Sequence, residues 1–99
     1  MNLEELKSRK LHFIGIGGSG MSGLARISLA MGIETSGSDA KNSSALEDLT
    51  RLGAQTYVGH SEVNVNSNQV VVISSAIPDS NPELKKAKEL SLSILSRAK

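Results

Sequence analysis

Four glycines in six residues, Gly15-Ile16-Gly17-Gly18-Ser19-Gly20, follow directly on the apolar run Leu11-His12-Phe13-Ile14. Few folds accept that order. A short apolar run bounded by glycine is the pattern of a strand buried on both faces. Beyond the loop, Met21, Leu24, Ile27 and Met31 recur at helical spacing, and Gly32 stands where a helix C-terminal glycine belongs. The first part of the chain therefore predicts strand, glycine turn and helix in direct succession.

The same alternation continues to the end. Ile33 to Gly37 predicts a second strand, weakened by Glu34 and Ser36. Ser44 and Glu47 have the spacing of a capping box, Leu46, Leu49 and Leu52 mark one helix face, and Gly53 closes that helix. Ala54 to Val58 is a third strand ended by Gly59-His60, and Ser61 to Asn68 is a loop with room for one helical turn. Val70-Val71-Val72-Ile73 is β-branched throughout and gives the fourth strand. Asn81 before Pro82 is an N-cap followed by proline at the first helical position. Leu84, Ala87 and Leu90 are expected to face inward and Lys85, Lys86 and Lys88 to face water, with Leu92 to Leu95 as a fifth strand. Strands alternating with helices at this pace make right-handed βαβ units on a parallel sheet. The expected fold class is α/β: a Rossmann-like three-layer sandwich with a parallel sheet of about five strands, residues 1–99 forming one domain.

Composition removes several functions. Eleven basic and ten acidic residues leave a net charge of +1, which offers no field for a nucleic acid or an anionic lipid surface. One Phe, one Tyr and no Trp exclude a base-stacking platform. With no cysteine, disulfide frameworks, thiolate metal sites and Cys nucleophiles are excluded. No apolar run approaches a membrane span, and the opening residues lack the apolar core of a secretory signal. A soluble, cytoplasmic chain is expected.

Gly15, Gly17 and Gly20 fit G-x-G-x-x-G in the context that gives the pattern meaning, after a strand and opening a helix. The first glycine permits the tight turn, the second lets a ligand approach the backbone, and the third lets helix pack close on strand. The helix end presents unpaired N–H groups and roughly half a positive charge to an anion. No Lys or Arg lies between Gly15 and Gly23. A diphosphate here is expected to rest on backbone donors, the helix dipole and the hydroxyls of Ser19 and Ser22. A nucleotide-hydrolysing P-loop, which needs Gly-Lys-Ser or Gly-Lys-Thr, is excluded.

Asp39 falls at the expected end of the second strand, where a carboxylate accepts ribose hydroxyls. Ser74, Ser75, Ala76 and Ile77 leave the fourth strand at the edge where open α/β sheets bind ligands, and His60 ends the third strand on the same edge. His12 is expected to pack or to hydrogen-bond within the sheet. No Ser-His-Asp set, carboxylate pair or metal cluster can be assembled, so no catalytic or metal-ligating residue is assigned. These residues alone leave two ligand classes open, a UDP-linked substrate or a nicotinamide dinucleotide, because either ribose could use Asp39.

The extended run from His12 through Gly23 closely resembles the N-terminal signature of the Mur ligase family, most of all its alanine-adding branch. Ser36-Gly37-Ser38-Asp39, Gly59-His60, Ser74-Ser75-Ala76-Ile77 and Asn81-Pro82-Glu83-Leu84 follow in that family's order. The resemblance implies the N-terminal domain of an ATP-dependent ligase of peptidoglycan synthesis that joins L-alanine to UDP-N-acetylmuramate through an acyl phosphate. It also implies that Gly17, Gly18, Ser19, Gly20, Met21 and Ser22 cradle the diphosphate of UDP-N-acetylmuramate or UDP. Asp39 would then serve the uridine side, with His60 and Ser74 to Ile77 lining the same crevice. ATP and Mg2+ would belong to central and C-terminal domains that these 99 residues do not contain, leaving this piece without catalytic activity of its own. A sister ligase that recycles a muropeptide onto the same UDP sugar, and a nicotinamide-binding oxidoreductase or regulatory domain, are the alternatives.

Overall fold

A computed structural model describes residues 8–97; the polar lead-in before Ser8, and Ala98 and Lys99, lie outside the described residues. The elements run β1 (Lys10–Ile14), α1 (Ser19–Ala30), β2 (Glu34–Asp39), α2 (Ser44–Arg51), β3 (Gln55–Val58), a single 3-10 turn (Glu62–Asn64), β4 (Gln69–Ser74), α3 (Pro82–Glu89) and β5 (Ser93–Arg97). All five strands are parallel, in the order β3-β2-β1-β4-β5. From β1 the chain winds outward through β2 and β3, then returns to β4 on the other side of β1. The carboxyl ends of β1 and β4 therefore flank a topological switch point, where such sheets open a crevice.

Alternate side chains of β1 and β4 enter two separate cores. Leu11, Phe13, Val70 and Val72 pack with Ile16, Met21, Ala25, Leu46 and Leu49 beneath α1 and α2. Ile14 and Val71 pack with Val65, Leu84 and Ala87 beneath α3 on the opposite face. Burial of each large side chain contributes roughly 1.5–3 kcal/mol. The result is the expected three-layer Rossmann-like sandwich. No helix of the described residues is long and apolar enough to cross a membrane.

Most boundaries follow from local chemistry. Gly32 and Gly53 take positive φ of 78° and 113° just after α1 and α2, as helix-ending glycines do. Asn81 caps α3 through its Oδ1, which accepts the amides of Glu83 and Leu84 at 2.9 and 3.3 Å. Three expectations need correction. The cap of α2 is Ser43, whose hydroxyl accepts the Leu46 amide, so the helix starts one residue earlier than the Ser44–Glu47 spacing implies. Leu90, the C-cap residue just after α3, is 38% exposed rather than inward-facing, because six positions beyond Leu84 the helix has rotated it off the core-facing side. On α1 the buried stripe is Met21, Ala25 and Ser28, while Leu24, Ile27 and Met31 line an open apolar groove beside Leu95 of β5. Spacing groups Leu24, Ile27 and Met31 on one face but wrongly adds Met21, which lies on the face that meets the sheet.

Candidate functional site

The glycine loop is built around its two ends. Gly15 adopts φ 82°, a left-handed conformation costly to any residue with a Cβ, and its carbonyl accepts the Gly18 amide at 3.0 Å. The loop is then fastened to β2. Gly15 and Ile16 donate to the Ser38 carbonyl at 2.8 and 2.9 Å, and Gly17 donates to Asp39 Oδ2 at 2.9 Å. Asp39 thus holds the loop itself, and its Oδ1 accepts the Lys41 amide at 3.4 Å. A Cβ on Gly17 would fall 2.9 Å from both Asp39 Oδ2 and Leu46 Cδ1. The demand for glycine at this position already comes from protein atoms, before any ligand is considered.

Helix α1 begins without a side-chain cap: Gly18 is its N-cap residue, and no acidic residue stands in its first turn. The amides of Ser19, Gly20 and Met21 donate to no described protein group, as expected of an uncapped first turn. The positive helix end lies where α1 leaves the carboxyl end of β1, beside the switch point. The side chains beside them contribute less than the sequence implied. Met21 is 4% exposed and packs in the core, so only its amide remains at the loop. The Ser22 hydroxyl donates back to the Ser19 carbonyl at 3.2 Å.

The loop after β4 meets the glycine loop. A Cβ on Gly15 would lie 3.5 Å from Ile77 Cδ1, which brings these two segments into contact across the switch point. Ser74 is half-buried and its hydroxyl accepts the Ala76 amide at 3.3 Å, while Ser75 and Ala76 are exposed. Arg97, in register with Ser74 at the end of β5, completes this edge. Its guanidinium lies over Gly20, so close that a Cβ there would be 2.6 Å from each terminal nitrogen. Sequence reasoning missed it because the cation is 77 residues from the loop it reaches.

Beneath β1 and β2, on the α3 face, lies a buried polar cluster that sequence reasoning also missed as a unit. Glu83 is fully buried, and its carboxylate receives four hydrogen bonds. Oε1 accepts from His12 Nε2 at 2.5 Å and from Ser38 Oγ at 2.7 Å. Oε2 accepts from the Ser61 amide and from Asn64 Nδ2, both at 3.0 Å. Burial pushes the Glu83 carboxyl up, but the hydrogen bonds from His12, Asn64 and Ser38 and the charge of His12 outweigh it. They hold the pKa down at about 2. His12 Nδ1 pairs with Ser36 Oγ at 2.8 Å, fulfilling the hydrogen-bonding role expected of it. His60 Nδ1 reaches Ser38 Oγ at 2.8 Å, with 21% of its side chain exposed. The cluster therefore ties the loop carrying His60 to the strand carrying Asp39. Among the described residues no group of three or more His, Cys, Asp or Glu could hold a metal ion.

An open parallel sheet with a glycine loop, an uncapped helix end and a second loop converging at its switch point defines a Rossmann-like α/β domain. Within that class the chain belongs to the Mur ligase family: the profile for the Mur ligase family, catalytic domain, matches residues 10–99. The chain is 55% identical over 91 residues to a UDP-N-acetylmuramate–L-alanine ligase of Hydrogenobaculum sp., covering 92% of this chain and 20% of that protein. Its identity to the ligase of the same name from Thermobifida fusca is 52% over 92 residues, 93% of this chain and 20% of that one. The crystal structure of a UDP-N-acetylmuramate–alanine ligase from Thermotoga maritima matches 90% of this chain and 21% of its own, with a TM-score of 0.86 and 34% identity. A UDP-N-acetylmuramate:L-alanyl-γ-D-glutamyl-meso-diaminopimelate ligase from Neisseria meningitides matches with a TM-score of 0.79 and 32% identity, covering 89% and 28% of the two chains. The chain thus spans about a fifth of the length of the curated relatives named here.

Proposed function

We propose that this chain is the UDP-substrate-binding domain of a cytoplasmic, ATP-dependent ligase that joins L-alanine to UDP-N-acetylmuramate in peptidoglycan synthesis. The observation that carries the reading is the uncapped start of α1 at the carboxyl end of β1, where the amides of Ser19, Gly20 and Met21 donate to no described protein group. A diphosphate placed there would satisfy donors that no protein group uses, at the positive end of a twelve-residue helix. Asp39 holds the loop in shape and has lone pairs left for the uridine side. His60, Ser74, Ser75, Ala76 and Ile77 would line the remainder. The relatives at 52–55% identity named above carry the L-alanine ligase name, which supports L-alanine as the acceptor.

The chain does not fit ATP with Mg2+. Its glycine loop has no Gly-Lys-Thr or Gly-Lys-Ser, and its described acids do not gather into a metal site. No chemical step through ATP is therefore assigned to these residues; phosphoryl transfer would belong to further domains of the ligase. Amide chemical-shift titration with UDP, UDP-N-acetylmuramate and NAD tests the proposal. Saturable shifts at Ser19 to Ser22 with the UDP compounds are expected. Saturable shifts there with NAD and none with UDP compounds would replace this reading with a nicotinamide-binding one.

A further inference from the structure

The two faces of the sheet are covered unevenly. On one face Ile73, Leu92 and Ile94 pack with Leu84 and Ala87 beneath α3. On the other, α1 and α2 pack over β1, β2 and β3. Leu95 is in register with Val72 and so points to that second face, where it stays 41% exposed. Across from it, Leu24, Ile27 and Met31 of α1 border the same space, with Ile27 56% exposed. Phe13 and Val72, both buried, form the floor. The result is a groove of about 300 Å³ beside α1, on the β4–β5 side of the sheet. All-parallel sheets are covered on both faces, and apolar side chains gathered into one groove mark a surface that something else covers.

We propose that this groove seats a helix of the ligase chain from beyond Lys99. The inference rests on the ligase reading above for one point, that further chain exists: the alignment covers only 20% of each curated relative named. β5 ends at Arg97 on the rim of the groove, so an element following it starts beside the space to be filled. Handedness narrows the choice. A right-handed crossover from β5 to a further outer strand would lie on the α3 face, as the one from β4 to β5 does. The occupant therefore turns back over β5 and β4 toward α1 instead of adding to the sheet. A helix about as long as α1, roughly three turns, spans the groove, with apolar residues at i, i+3, i+4 and i+7 facing Ile27 and Leu95. A second copy of the chain fits less well. Stable association buries roughly 800 Å² per partner, far more than the part-exposed Leu24, Ile27, Met31 and Leu95 offer.

Peroxide oxidation of the methionines, read by mass spectrometry, tests this in three chains. They are the 99 residues, the full-length ligase, and a chain ended about 20 residues beyond Lys99, enough for a connection and three helical turns. In the 99-residue chain Met31, 36% exposed, should oxidise much faster than the buried Met21. In both longer chains Met31 should slow about tenfold, to near the rate of Met21. Ile27→Glu should restore fast oxidation there by placing a carboxylate under the helix. In the 99-residue chain the same change should move the melting temperature by no more than about 2 °C, because Ile27 faces water. Equal Met31 rates in the 99-residue and longer chains would overturn the proposal. Protection confined to the full-length ligase would also overturn it, giving the groove to a more distant domain. So would a dimer of the 99-residue chain in sedimentation that Ile27→Glu breaks, which would give the groove to a second copy. UDP calorimetry on the same chains reports on the UDP reading separately: no UDP binding beside a protected Met31 removes that reading and leaves the helix in place.

Discussion

Glu83 and His12 lie 71 residues apart in sequence and meet at 2.5 Å with neither side chain exposed. The contact joins the first turn of α3 to the middle of β1, and through Ser38 and Asn64 it fixes the loop that follows β3. A buried carboxylate with all its acceptor positions used is stabilising only while every donor stays in place.

The acid stability of the domain should carry the signature of Glu83. Its carboxyl titrates at about 2 in the folded chain against 4.5 for an ordinary glutamate. Between those values the unfolded state binds a proton that the folded state refuses. This contribution is therefore full above the unfolded pKa and disappears as pH falls through the folded one. It amounts to roughly 3 kcal/mol. Urea midpoints taken from about pH 5 to about pH 2 should fall steeply in the parent chain and less in Glu83→Gln. At neutral pH Glu83→Gln should be less stable by roughly 3 kcal/mol, since it leaves buried donors poorly matched. Parallel curves for the two chains would show that Glu83 does not govern the acid limb.

Gly17 and Asp39 should prove coupled. A methyl group on Gly17 must displace the Asp39 carboxylate that its own amide holds, and it must also press on Leu46. Gly17→Ala is expected to cost about 1–2 kcal/mol of stability and to weaken UDP binding, with Gly17→Val worse in both. Asp39→Asn keeps the size and one acceptor oxygen, so it should remain folded and lose about tenfold in UDP affinity. Urea unfolding and calorimetry on the same samples separate the two effects. A Gly17→Val chain with parental stability would show that the loop does not depend on that contact.

Strand and helix order was legible because each element carries a local signal: the apolar runs, the glycines that end α1 and α2, and Asn81-Pro82 at the start of α3. Direction of packing was not. Leu24, Ile27 and Met31 look like a core stripe, yet the turn at Gly15 aims Met21, Ala25 and Ser28 at the sheet instead. The glycine loop could be located because its motif is a run of consecutive residues between a strand and a helix. The long-range contacts of Arg97 and Glu83 could not, because nothing local marks a side chain that reaches a residue 77 or 71 positions away. Short segments that looked separate in sequence, around His12, Ser38, His60 and Glu83, share one hydrogen-bonded cluster in space.

His60 offers the sharpest separation of a structural role from a binding role. The Ser38 hydroxyl spends its only proton on Glu83 Oε1 at 2.7 Å, so His60 Nδ1, 2.8 Å from the same oxygen, is the donor there. In the neutral ring Nε2 is then an acceptor, and the part-exposed side chain leaves it available to a hydroxyl or an imide N–H of a uridine. Asparagine can replace the Nδ1 donor through its side-chain amide, but nothing in it reaches as far as Nε2. His60→Asn should therefore keep the melting temperature within about 2 °C and lose roughly three- to tenfold in UDP affinity. His60→Ala, which strips Ser38 of its donor as well, should lower both. Thermal unfolding read beside UDP calorimetry checks this directly. If His60→Asn binds UDP as the parent does, His60 serves the buried cluster alone and leaves the ligand site.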